Sequence, residues 1–152
     1  MKGIRLVPGY HGYSLFDIRL EPIIAIAKER NIPIFVNARL TDERMTHIIH
    51  PTLPKIEEYA KFADAVSGRG VKVVLCYLLG GEADAVWRMT ENRENLYFDT
   101  SGMSGSLFEA DLPEYAEHCL LGTGFPLRTV RSAVMRIEKE ITDPALKARM
   151  LG

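Results

Sequence analysis

Five short apolar runs, each followed by a longer stretch with helical spacing, constrain this chain more than any other feature. The runs fall at 4–7, 34–36, 71–76, 96–99 and, more weakly, 119–121. Apart from Arg5, Lys72 and Asp99 these runs are apolar rather than alternating, the pattern of a parallel strand covered on both faces. Between them the period changes. In 19–30, Ile23, Ile24 and Ala27 share one face, with Lys28 and Arg30 near the end, where cations suit the helix dipole. In 54–67 the stripe is Ile56, Tyr59, Ala60, Ala63 and Val66, and Gly68 is placed to stop it. Shorter helices are expected over 82–91 and 112–118, and a longer one over 126–140 from Val130, Val134, Ile137 and Ile141. Asp143-Pro144 reads as an N-cap and a first-turn proline opening a last helix through Met150.

Strands alternating with helices predict βαβ units and a parallel sheet, an α/β fold. Two architectures accommodate five units: a complete doubly wound, flavodoxin-like sheet, or a partial (β/α)8 TIM barrel of about five parallel strand–helix units. A closed barrel takes about 250 residues, and this chain has 152. No internal repeat or linker-like stretch divides it, so 1–152 is expected to be a single domain.

Composition narrows the partners. Lys and Arg number 19 against 20 Asp and Glu, for a formal net charge of −1. That balance lacks the basic excess of nucleic-acid-binding domains, so no nucleic acid is expected. No apolar run approaches the roughly 18 residues of a membrane span, so no membrane association is expected either. The first residues, Met1-Lys2-Gly3-Ile4-Arg5-Leu6, do not read as a signal peptide, and Cys76 and Cys119 sit in apolar surroundings without metal-type spacing. Reduced core thiols and a cytoplasmic location are the expectation.

In either architecture, function sits in the loops at the carboxyl ends of strands. After the first run comes Pro8-Gly9-Tyr10-His11-Gly12-Tyr13, read either as a pocket-lining loop or as a plain turn with packed tyrosines. The loop after the second run is the densest in chemistry. Between Asn37 and Pro51 it holds Arg39, Asp42, Glu43, Arg44, His47 and His50, enough to supply a base, a proton donor and a bidentate anion clamp. Its bland alternative is a surface loop of acid–arginine pairs. His47 and His50, three apart, have the spacing of metal ligands, but the His-Glu-x-x-His signature is absent. The third loop, from Tyr77 through Gly80-Gly81, is apolar and lets a helix start close to its strand. The fourth, Asp99-Thr100-Ser101-Gly102-Met103-Ser104-Gly105-Ser106, is rich in hydroxyls and reads as capping and turn formation or as contacts to a polar ligand. The last, Gly122-Thr123-Gly124-Phe125-Pro126, fails the dinucleotide fingerprint because Leu127 holds the third glycine position.

The succession Gly3-Ile4-Arg5-Leu6-Val7-Pro8, Ala27-Lys28-Glu29-Arg30-Asn31-Ile32-Pro33-Ile34, Val71-Lys72-Val73-Val74-Leu75, Asn95-Leu96-Tyr97-Phe98-Asp99-Thr100-Ser101 and Leu120-Leu121-Gly122-Thr123-Gly124-Phe125-Pro126 resembles the amidohydrolase-related proteins. More narrowly, it is similar to the decarboxylase-like branch of the metal-dependent TIM-barrel hydrolases. The resemblance covers nearly the whole chain and matches the family's barrel from about its fourth strand to its eighth, the C-terminal five-eighths. It implies a divalent metal such as zinc, held by a His-x-His on the first barrel strand, by histidines after the fifth and sixth, and by an aspartate after the eighth. The first pair lies outside this chain. At the other three points stand Asn37 or Ala38, Tyr77 and Gly124, none a good zinc donor. The segment from Ala38 to His47 also resembles a subgroup carrying an Asp-Glu-Arg-x-x-His type loop in place of the metal histidine.

The resemblance therefore implies a degenerate metal site. Its pocket would be relined by Arg39, Asp42, Glu43, Arg44 and His47, joined by His50, Tyr10, His11 and Tyr77. The implied function is hydrolase-type chemistry on a small carboxylate or amide, with Asp42 or Glu43 as base, His47 as proton shuttle and Arg39 or Arg44 as anion clamp. The alternative is a catalytically inactive module of the same fold that binds a small anion. A five-eighths barrel leaves strand edges and inner surface uncovered, so a homo-oligomer, or association with the missing barrel portion, is expected.

Overall fold

The computed structural model describes residues 2–40, 51–103, 114–126 and 128–152. Its centre is a five-stranded sheet of β1 (Ile4–Leu6), β2 (Ile34–Asn37), β3 (Val73–Cys76), β4 (Leu96–Asp99) and β5 (Cys119–Leu120), in the spatial order of the sequence. Every neighbouring pair is parallel. A doubly wound sheet reverses its strand order partway across; this one never does, which rules out the flavodoxin-like alternative. Five consecutive parallel strands, each stepping the same way, make an arc of a (β/α)8 barrel.

Register shows where the apolar residues of the runs fall. Residues two apart on a strand share a face. One face carries Ile4–Ile34–Val73–Leu96 and, one layer on, Leu6–Val36–Leu75–Phe98–Cys119. From β2 to β4 these side chains are wholly buried, each stabilising the fold by roughly 1.5–3 kcal/mol. The helices cover this face: α2 (Glu21–Glu29) through Ile24 and Ala27, α3 (Ile56–Ser67) through Tyr59, Phe62, Ala63 and Val66, and α4 (Gly80–Met89) through Ala83, Val86 and Trp87. After β5, α5 (Val130–Glu140) and α6 (Pro144–Leu151) add Ile137, Leu146 and Met150. The opposite, inner face carries Arg5, Phe35, Val74 and Tyr97, then Asn37, Cys76, Asp99 and Leu120 toward the carboxyl ends. Arg5 is exposed, and Phe35, Tyr97 and Leu120 are only half-buried. A closed barrel packs such residues against strands from across its axis.

Local chemistry moves several boundaries. Residues 8–11, read as loop, form a short helix, α1 (Pro8–His11); Pro8 opens it and Gly12, left-handed at φ 65°, closes it by donating its N–H to Pro8 O. Helix α2 begins at Glu21, after a 3-10 turn whose Asp17 carboxylate accepts from Arg19 N–H. Helix α4 begins earlier than expected because Glu82, at its third position, reaches back to the Leu79 N–H at 2.9 Å. Helix α5 starts at Val130 rather than 126. Of the helix expected over 112–118, the first two residues lie outside the described residues, and Ala116–His118 is a 3-10 turn. Asp143 caps α6 as the sequence indicates, accepting from Ala145 N–H at 2.9 Å.

Candidate functional site

A cavity of about 390 Å3 opens on the inner face at the carboxyl ends of the strands. Asn37, Cys76, Tyr77, Asp99 and Ser101 bring polar groups to it, Arg5 and Phe35 form its lower wall, and residues 120–126 its far side.

Asp99 is the best-anchored acid in this cavity. As the last residue of β4 it shares inward parity with Tyr97, and three donors converge on one of its oxygens. Oδ1 accepts from Tyr77 N–H at 2.9 Å, Ser101 N–H at 3.3 Å and Ser101 Oγ at 2.6 Å. Tyr77 reaches this geometry with φ at 63°, an uncommon conformation for a bulky residue and one that concentrates at functional sites. Oδ2 lies toward Gly122, where a Cβ would approach it to 2.9 Å and Ser101 N to 2.6 Å, so only glycine fits. Asp99 thus has one oxygen fixed by the fold and the other beside Gly122, both residues lining the cavity.

Cys76 sits beside it. Burial, and then the Asp99 charge, push its thiol well above the ordinary range, so it stays protonated and inert. Two more groups at the cavity have no hydrogen-bond partner within the described residues: the buried Asn37 Oδ1 and Tyr77 hydroxyl. Buried polar atoms in this condition are infrequent in folded proteins.

Arg39 lines the cavity but is committed. Its guanidinium grips Glu82 through two contacts of 2.6 Å, with the side chains only 14% and 21% exposed. Although burial opposes it, the bonds from Arg39 and from Leu79 N–H hold the Glu82 carboxyl below the usual range. The pair ties β2 to α4, and a guanidinium so occupied is poorly placed to clamp a substrate anion. The Tyr59 hydroxyl is buried without a hydrogen-bond partner among the described residues, and that burial raises it above the ordinary phenol range.

The remaining expected residues divide. Tyr77 lines the cavity; Tyr10 and His11 do not. The Tyr10 hydroxyl accepts from Leu40 N–H at 3.4 Å, and His11 is exposed against Tyr13 with ring centroids 6.2 Å apart. Asp42, Glu43, Arg44, His47 and His50 lie outside the described residues. Asn37, Cys76, Asp99 and Ser101 were not among the expected site residues, although the loop holding Asp99 and Ser101 was read with contacts to a polar ligand as one alternative. The signal that could have found Asp99 is its place as an inward-facing acid at the carboxyl end of a strand.

The zinc implied by the resemblance does not suit the described residues. The matching points offer a carboxamide, a phenol and a glycine, and among the described residues no three His, Cys, Asp or Glu converge. No helix among them is long and apolar enough to cross a membrane.

Neither the known protein-family models nor the curated proteins include a match to this sequence. Solved structures do match. An uncharacterized TIM-barrel protein, Bb4693, from Bordetella bronchiseptica superimposes with a TM-score of 0.69 at 19% identity, over 99% of this chain and 54% of that one. The 5-carboxyvanillate decarboxylase LigW from Sphingomonas paucimobilis gives 0.64 at 15% identity, over 100% of this chain and 56% of that one. The 2,6-dihydroxybenzoate decarboxylase from Rhizobium gives 0.61 at 16%, over 91% and 54%. At these identities the likeness is one of fold: the chain has the architecture of a partial (β/α)8 barrel and spans about half the length of the barrels it matches.

Proposed function

We propose that this chain supplies the carboxyl-terminal five units of an amidohydrolase-like barrel, and that its strand-end cavity performs hydrolase-type chemistry on a small carboxylate or amide. The observation that carries this reading is Asp99. Its Oδ1 is fixed by three donors, so Oδ2 is oriented without the cost of ordering a free side chain. In hydrolysis, Oδ2 takes the proton of a water adding to the substrate carbonyl and returns it to the leaving group. The 41–50 segment supplies further groups under this proposal: Asp42 or Glu43 as a second acid–base, His47 as shuttle and Arg44 as anion clamp. Arg39 drops out of the clamp role because Glu82 holds it. The two decarboxylases of like fold act on aromatic carboxylates, which supports the substrate class.

A panel of small esters, amides and aromatic carboxylates, read by product formation, tests the proposal. Asp99→Asn should lose about 100-fold or more of any turnover, the scale of a general acid–base, while unfolding at nearly the wild-type temperature. Equal rates in the variant, or no turnover by the wild type across the panel, contradict it. The second outcome favours a binding module, in keeping with the two histidines among the described residues: His11 lies off the cavity, and His118 pairs with the Leu96 carbonyl at 2.8 Å.

A further inference from the structure

Beside the main cavity, between the 122–124 turn and α5, lies a smaller one of about 140 Å3. Its walls are Ser101, Thr123, Arg128, Ser132 and Arg136, with Gly122 at the boundary it shares with the larger cavity. Two guanidiniums on one small cavity are costly, because like charges repel and neither is fully hydrated.

Each has a defined position. Arg136, nearly two turns into α5, donates to the carbonyls of Met103 and of Thr100, the latter at 3.0 Å, which fixes its plane against the loop after β4. Its Nε is buried with no partner among the described residues. Burial lowers the Arg136 pKa from its ordinary value; Glu140, a turn further along α5, offsets part of this, and Arg128 adds to it. Arg128 donates its backbone N–H to Gly124 O at 3.2 Å and lays its stem about 3.6 Å from where a Gly124 Cβ would stand. No carboxylate within ion-pair distance holds the Arg128 side chain among the described residues. Of the hydroxyls, Ser101 donates to Asp99 and Ser132 to Thr129 O. Thr123 Oγ1 accepts from Phe125 N–H at 3.2 Å, leaving its own proton to donate.

We propose that this cavity is a binding site for a small oxyanion, a phosphate or carboxylate group, held by Arg128, Arg136 and the Thr123 hydroxyl. An anion there would neutralise the facing guanidiniums and accept charge-assisted hydrogen bonds, the strongest kind available to such groups. Because the two cavities share Ser101, Gly122 and Thr123, the oxyanion sits next to the space in front of Asp99, where it can belong to one end of a longer ligand. The inference stands whether or not Asp99 catalyses anything.

Calorimetric titration of the chain with inorganic phosphate and, separately, with acetate, at ionic strength matched by chloride, tests it. Saturable binding of either anion is expected, and whichever binds more tightly identifies the group. Arg128→Gln removes a half-buried charge without touching the carbonyls to which Arg136 donates; it should weaken binding about tenfold or more, or about 1.4 kcal/mol, at an unchanged unfolding temperature. Thr123→Val should weaken it less. No saturable binding of either anion, or equal affinity in Arg128→Gln, overturns the proposal.

Discussion

Asp99 shows what a single residue gains from its neighbours. Its anchoring depends on backbone from two loops, Tyr77 and Ser101, and on the missing side chain of Gly122. Gly122→Ala would drive a methyl into Ser101 N and Asp99; a loss of about 1–3 kcal/mol in denaturant unfolding is expected, and an unchanged midpoint would contradict the packing described. The Arg39–Glu82 pair makes a pH prediction. A carboxyl held below its ordinary value contributes stability that is fully present above about pH 4.5, its unfolded value, and is lost as pH falls through the folded one. Glu82→Gln should therefore flatten the fall in stability below pH 4.5; a variant that tracks wild type there would show the pair to be inert. Cys119, pushed up to about 12 by burial and then by the Asp99 charge, should resist alkylation at pH 8 until the chain unfolds, and so should Cys76. Rapid labelling of the native protein would contradict that.

At the scale of the element, the strands were legible because their helix-side positions are apolar and buried and several inner-face positions, Phe35 and Val74 among them, are apolar as well. Leu96–Asp99 was bounded correctly, and Val73–Cys76 lost only its first two expected residues. Helix starts were harder, because they depend on which side chain turns back to the backbone. Asp143 could be recognised as a cap from its proline neighbour; Glu82 capping Leu79 could not, since two glycines intervene. Asp143→Ala should destabilise the protein by about 1 kcal/mol, read from the shift in its unfolding midpoint, and no shift would mean that α6 is held by packing alone. The site was less legible than the fold for a related reason. The sequence concentrates charge at 39–50, whereas Asp99 lies in a hydroxyl-rich turn whose role emerges only when β3 and β4 lie side by side.

For the whole molecule, the geometry is an arc. β1 and β5 each pair on one side only among the described residues, and the inner face leaves Arg5, Phe35, Tyr97 and Leu120 partly uncovered. Open edges and apolar inner surface favour association, so we propose that the isolated chain self-associates or joins the remaining barrel units. Light scattering at micromolar concentration should give a mass above the 17.1 kDa of one chain; a monodisperse monomer would contradict this.

The central claim is that the cavity facing Asp99 is where this protein meets its small-molecule ligand. Amide chemical shifts followed during titration with the panel of carboxylates and amides test it most directly, because the Tyr77 and Ser101 amides both donate to Asp99. The account predicts that these two amides shift together and saturably, and that Asp99→Asn weakens the response. Saturable shifts confined to other parts of the molecule, or none with any member of the panel, would contradict it.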